Sequence, residues 1–303
     1  MLRNAVRFSA LALVIFAAHV TPSVLAEDQA PAAQAVQYPD PANRVLTHRE
    51  QAPLVKGWIE KRFDTLMPNL MQRTGIDMWI IVSREYNDDP VFRSMSPVNT
   101  FSSRRRTILV FHNPGAGKPV ERLSIGRFDY DGLFKVVPTH NDAQYEGLRK
   151  LVEERNPKVI GINESDAWNH ADGITANEKR RLMDALGPEY GKRVRSAEML
   201  AVGWLELKLP EELDAYRHVM KVAHMVIREA FSNKVITPGK TTNEDVVWWM
   251  RQRVAELGLG SWFHPSVTIH RQGGVKGVSV IQPGDMLHTD FGIVYLGFST
   301  DTQ

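Results

Sequence analysis

From Val45 onward the chain carries two successive rhythms of apolar and polar positions. The first is short. A helical stretch around Glu50–Arg73 runs through Gly75 into "DMWIIVSREY", a compact apolar run of strand type. "TILVFHNP" and "VERLSIGRFD" repeat that texture, "DAQYEGLRKLVEERNP" predicts a helix ended by Pro157, and "KVIGINES" predicts a further strand. Strands interleaved with helices predict a layered α/β domain.

Near Leu205 the rhythm lengthens. In "LPEELDAYRHVMKVAHMVIREAF", Pro210 opens a helix and Leu213, Met220, Ala223, Ile227 and Ala230 recur at roughly helical spacing, which predicts a long amphipathic helix. "TPGKTTNEDVVWWMRQRVAELG" then offers a Pro-Gly turn, a capping box from Thr241 to Glu244 and a stop at Gly258. Trp248 and Trp249 fall mid-helix, where core packing is expected. Beyond it lie "PSVTIH", the loop "RQGGVKG", a "PGD" turn and the strand-like "MLHTDFGIVYLGFSTDT". The change of texture places a domain boundary around 200–207, and no internal repeat is visible.

The amino-terminal residues follow neither rhythm. Arg3 and Arg7 precede an uncharged stretch, Phe8 to Val20, and small residues close at Ala26, so residues 1–26 read as a cleaved secretory signal and the product as periplasmic or secreted. The stretch is shorter than the roughly 20 residues of a spanning helix, so no stable membrane anchor is expected. Residues 27–44, rich in Ala, Pro and Gln, read as a flexible leader. The folded chain is then assigned as 45–204 and 205–303.

Composition narrows the chemistry. With no cysteine, disulfides and thiolate metal sites are excluded, leaving histidine and carboxylates as metal donors. Removing the signal takes away two arginines and no acid, so the mature chain has 35 basic and 35 acidic residues. That neutrality argues against a nucleic-acid partner. Arg104-Arg105-Arg106 reads as a salt-bridged or solvated strand edge, and "NPGAGKP" as a surface turn, because it lacks the spacing and hydroxyl of a phosphate loop.

The chemically informative feature is Asp290 and Asp301, eleven residues apart in apolar, strand-like sequence. A hairpin turning at Tyr295-Leu296 would set them directly opposite one another, about 5 Å apart, where like charges repel. Three readings are open: a shared proton, a divalent metal, or a different turn using Gly297 with both carboxylates in solvent. Leu287, Phe291, Ile293 and Val294 around Asp290 read as an interior strand, where a carboxylate needs a partner charge or a metal. Gly292 leaves room for an approaching backbone or ligand. His288 lies two before Asp290, on its face of a regular strand, either as a supporting partner or as packing.

"PGDMLHTDFGIVYLGFSTDTQ", residues 283–303, resembles the first metal-ligand segment of the pita-bread metallopeptidases, which include Xaa-Pro aminopeptidases, prolidases, methionine aminopeptidases and creatinase relatives. The two helical segments upstream resemble the opening helices of that catalytic domain. Residues 45–200 are compatible with the amino-terminal domain of the creatinase and aminopeptidase P branch. The resemblance implies a fold of α/β and α+β type, a creatinase-like amino-terminal α/β domain followed by a partial pita-bread domain. It also implies two divalent metal ions (Mn, Co or Zn), Asp290 on one and Asp301 bridging both, and hydrolysis of a peptide with proline at the second position. A homodimer is a further expectation. The substrate-orienting histidine maps onto His270, with His264 next. The family's remaining histidine and two glutamates lie further along than Gln303, so the chain as written is expected to bind metal weakly and hydrolyse little. The alternative reading is a non-catalytic binding module built on the same fold.

Overall fold

A computed structural model describes residues 36–115, 117–140 and 143–303. The expected signal and the first part of the leader lie outside the described residues. Six strands form one mixed sheet: β1 Met78–Arg84, β2 Arg106–His112, β3 Glu121–Gly126, β4 Lys135–Pro138, β5 Ile160–Ile162 and β6 Val194–Ser196, in the order β4-β3-β2-β1-β5-β6. β1 and β2 pair antiparallel with Ile80 beside Val110, while β1 and β5 run parallel with Ile80 beside Ile162.

The near-continuous apolar character of β1 and β2 follows from burial on both faces. Trp79, Ile81, Leu109 and Phe111 point to one side, where they meet helices α1 His48–Thr65, α2 Met67–Thr74, α3 Pro90–Ser94 and α6 Glu198–Glu206. Met78, Ile80, Val82, Ile108 and Val110 point to the other, against α4 Gln144–Arg155 and α5 Ala176–Gly191. The period-2 alternation of the strands therefore serves two cores at once. The single helix expected over 50–73 is two, α1 and α2, with Pro68 in the first turn of the second. α4 ends as expected just before Pro157, on a left-handed Asn156.

A third core gathers α7 Pro210–Ala230, α8 Asn243–Glu256, the ribbon of β7 Ser266–His270 with β8 Met286–Asp290, and the hairpin β9 Val294–Tyr295 with β10 Phe298–Ser299. The buried stripe of α7 is Glu212, Ala215, His218, Val219, Val222, Ala223, Val226 and Ala230: Ala223 and Ala230 are inside as expected, Met220 and Ile227 are half-buried at its edge, and Leu213 is 55 % exposed. His218 is on the inner face: its imidazole stacks on Tyr38 at 5.0 Å and lies 3.3 Å from the Tyr295 hydroxyl. The capping box of α8 is Thr242 with Asp245, because the Thr241 hydroxyl accepts the N–H of Thr237 in the preceding turn.

α1 joins this core to the sheet. Trp58 packs edge-on against Phe298 at 6.2 Å, and one turn on Arg62 donates to Glu212 of α7 at 3.0 Å with its guanidinium over the Trp204 ring at 4.2 Å. The Leu46 N–H reaches the Tyr295 hydroxyl at 3.0 Å.

Candidate metal centre

β7 and β8 pair antiparallel from Ser266 beside Asp290 to His270 beside Met286. Val267, Ile269 and Thr289 face the core, while Ser266, Thr268, His270, Met286 and His288 face outward. Asp290 shares that outward face at the end nearer the hairpin and is half-buried there. His288 does share its face, as the strand period requires, but is exposed and not packed; its ring meets that of His270 at 6.3 Å. His270 stands at the far end of the ribbon, four pairs from Asp290, a separation of about 13 Å at strand rise. That end is closed by Arg271, which donates to Asp285 of the Pro-Gly-Asp turn at 2.6 Å and holds its carboxyl down at about 2.

The hairpin register departs from a turn at Tyr295-Leu296 and uses Gly297, as the third reading had it, though with Asp290 Oδ1 buried instead of in solvent. Tyr295 pairs with Phe298, Val294 with Ser299 and Phe291 with Thr302. The turn residues are therefore Leu296 and Gly297, both with positive φ (55° and 77°), the pattern of a type I′ turn. Moving the turn by one residue puts Gly292, not Asp290, across from Asp301. Asp290 becomes a diagonal neighbour, where Cβ atoms stand about 7–8 Å apart or somewhat less. That spacing removes the head-on repulsion and with it the need for a shared proton, while pleat alternation keeps both carboxylates on one side.

Between them the ladder keeps the bond from the Thr300 N–H to the Ile293 carbonyl at 2.9 Å and loses the reverse one. The Ile293 N–H bonds the Thr300 hydroxyl at 3.1 Å, and the Thr300 carbonyl instead accepts the indole N–H of Trp262 at 2.9 Å. Gly292 makes this possible: a Cβ there would lie 2.3 Å from the Thr300 carbonyl oxygen, 2.5 Å from the Phe263 ring and 2.6 Å from the Trp262 nitrogen. The room read at Gly292 is thus filled by backbone and by two aromatic rings. Trp262 and Phe263 were not singled out by the sequence, since they sit in an aperiodic loop whose one sign was adjacent aromatics before Pro265. Nearby, Trp248 is 59 % exposed against the ring of His264 at 5.1 Å, not in the core, whereas Trp249 packs against it.

Asp290 Oδ1 is buried and has no hydrogen-bond partner, while Asp301 is exposed. An orphaned carboxylate oxygen beside a second carboxylate suits a hard divalent cation. Yet no group of three or more histidines, aspartates or glutamates converges among the described residues. Four to six donors are needed, so the pair fits as part of a metal site and does not make a whole one.

No protein-family profile matches the chain, and no curated protein sequence does. Solved structures match its fold. An X-Pro aminopeptidase from Thermotoga maritima is 17 % identical over 77 % of this chain and 63 % of its own, with a TM-score of 0.55. Aminopeptidase P from E. coli, solved with the inhibitor Pro-Leu, is 12 % identical over 84 % of this chain and 61 % of its own, with a TM-score of 0.51. The chain thus has the pita-bread, creatinase-like fold of these peptidases, and it spans less than two thirds of their length. No helix among the described residues is long and apolar enough to cross a membrane.

Proposed function

We propose that this chain carries part of the site of an exported, metal-dependent peptidase of Xaa-Pro type. The observation that carries the reading is the partnerless, buried Oδ1 of Asp290 diagonal to Asp301, on a fold shared with X-Pro aminopeptidases. In this reading 45–204 is the creatinase-like domain and 205–303 a partial pita-bread domain, with Asp290 a ligand of one ion and Asp301 a bridge between two. Manganese, cobalt or zinc there would polarise a scissile carbonyl and acidify a water. The protein's own contribution is to hold Asp290 at the end of the β7–β8 ribbon and Asp301 on the arm of the hairpin that Trp262 and Tyr295 brace. The donors that complete the set are not among the described residues, so no catalytic step is assigned to these two alone. His270 remains the proposed substrate-orienting group, which would require a substrate extended along the outward face of the ribbon.

The test is cleavage of an Xaa-Pro dipeptide and of a longer Xaa-Pro peptide by the natural polypeptide from the exported fraction, with each metal in turn. Metal-dependent release of the first residue supports the reading; no cleavage with any metal rejects it. One observation favours the second reading, a non-catalytic binding module: the absence of a third converging donor among the described residues. That module would be stable and inert with every metal.

A further inference from the structure

A cavity of about 280 Å³ lies where α1, the loop after α3, the α6–α7 connection and the hairpin tip meet. Its apolar wall includes Trp58, Phe298 and Val98. Its charged lining is unbalanced: Arg62, Arg93 and Lys208 against the single carboxylate of Glu212. Glu212 is already committed, accepting from Arg62 at 3.0 Å and from the Leu209 N–H at 2.7 Å.

Among the described residues the other two cations donate to carbonyl oxygens. Lys208 donates to the Leu205 carbonyl, and Arg93 to those of Thr100 and Phe101. Arg93 is exposed and ion-paired with Asp88 at 3.9 Å, outside the lining, while Glu212 and Glu206 act on Lys208 only through space. Burial, and then the charge of Arg62, push the Lys208 ammonium below its ordinary range. Lys208 is half-buried beside Arg62 and Arg93 with Glu212 as the one carboxylate of the lining, and a bound anion offsets that excess of positive charge.

We propose that this cavity binds a small organic anion, a carboxylate on an apolar or aromatic body, with the head between Lys208 and Arg93 and the body against Trp58 and Phe298. The volume is at the small end of ligand pockets, about 300 Å³ upward, so the ligand is a small molecule and not a chain segment. The site is independent of the proposed peptidase reading, but one wall is Leu296-Gly297, the tip of the hairpin whose arms lead to Asp290 and Asp301. Occupancy should therefore steady that hairpin.

The test is isothermal titration of the chain with 3-phenylpropanoate, with the neutral 3-phenylpropan-1-ol and with inorganic phosphate, paired with hydrogen exchange. The expected result is saturable binding of the acid, binding of the alcohol and of phosphate weaker by about tenfold or more, and slowed exchange over 294–299. Lys208→Met should weaken the acid by a similar factor. Val98→Glu, which places a carboxylate inside the wall without touching either cation's hydrogen bonds, should abolish its binding and decides the matter should Lys208→Met not fold. The proposal is overturned by no saturable binding, by equal affinity for acid and alcohol, by undiminished binding to Val98→Glu, or by protection confined to residues away from the cavity.

Discussion

The indole N–H of Trp262 donates to the carbonyl of Thr300 at 2.9 Å, through the space that Gly292 leaves on the facing strand. The hairpin bearing the two aspartates is therefore not held by its ladder alone. Thr300 is fully buried, and its carbonyl would have no strand partner at this point because its hydroxyl has taken the Ile293 N–H. A buried carbonyl has to be satisfied, and here a tryptophan from a preceding loop does so.

Gly292→Ala should accordingly destabilise the fold by about 1–3 kcal/mol, the range for a group forced into a filled site. The nearest obstruction, at 2.3 Å, is backbone and cannot swing aside. Urea unfolding should show a lower midpoint with an unchanged slope. Trp262→Phe keeps a ring but orphans the Thr300 carbonyl, and should cost about 1–3 kcal/mol. An alanine variant as stable as the parent would contradict the packing described.

Metal binding by the two aspartates is testable without any activity. A divalent ion that binds only the folded chain adds stability in proportion to its occupancy, about 2.7 kcal/mol at a hundredfold excess over its Kd. Manganese should raise the melting temperature of the parent, and Asp290→Asn should remove that rise because Oδ1 is the buried, partnerless donor. Asp301→Asn should reduce it. An equal rise in both variants would place the ion elsewhere.

The strands β1 and β2 were legible because doubly buried strands write near-continuous apolar runs, and β3 because Leu123 and Ile125 alternate with polar residues. The hairpin register was not, since counting alternation allows two centrings one residue apart, and the choice depends on Leu296 accepting a positive φ, uncommon for a bulky side chain. α5 escaped notice because it buries Leu182, Leu186 and Tyr190 together with Glu178, a residue any hydrophobicity pattern counts as outward. β4 and β6, of four and three residues, are too short to carry a period. In the candidate site, the aspartates were visible by spacing, whereas Trp262 acts through one hydrogen bond that no periodicity encodes.

Glu178 itself sets a pH dependence. It is fully buried, 2.6 Å from Arg106 Nε and 2.6 Å from the Tyr145 hydroxyl, and Arg84 also donates to it. Burial pushes its pKa up, but the hydrogen bonds from Arg106, Tyr145 and Arg84 outweigh burial and leave it below the ordinary value. A folded pKa below the unfolded one means stability present above the unfolded glutamate range, about 4.3, and lost as pH falls through the folded value. Asp89 has the opposite sign. Burial raises its pKa despite hydrogen bonds from Asn163, Phe92 and Val91, so its contribution is present below the unfolded aspartate range and lost as pH rises through the folded value. Glu178→Gln should cost about 3–5 kcal/mol at pH 7, as for breaking a buried pair. The gap from the parent should narrow below pH 4.3 or so, as measured by urea unfolding at several pH values. A gap that does not change with pH would mean that the carboxylate's charge is not what holds Arg84 and Arg106.

Arg62 and Glu212 should behave as one unit. Arg62→Met leaves Glu212 buried with the Leu209 N–H as its remaining donor, and should cost about 3–5 kcal/mol. Arg62→Lys should recover only part of that, since an ammonium cannot bond Glu212 and the Trp204 carbonyl while lying flat on the Trp204 ring. The double variant Arg62→Met, Glu212→Gln removes both charges together. It should be more stable than the sum of the single changes predicts, with a coupling within the 0.5–3 kcal/mol typical of residues in contact, about 2 kcal/mol here. A double-mutant cycle in urea measures it. Additive losses would mean that Arg62 acts through its stacking on Trp204, and that the join between α1 and α7 rests on packing instead of charge.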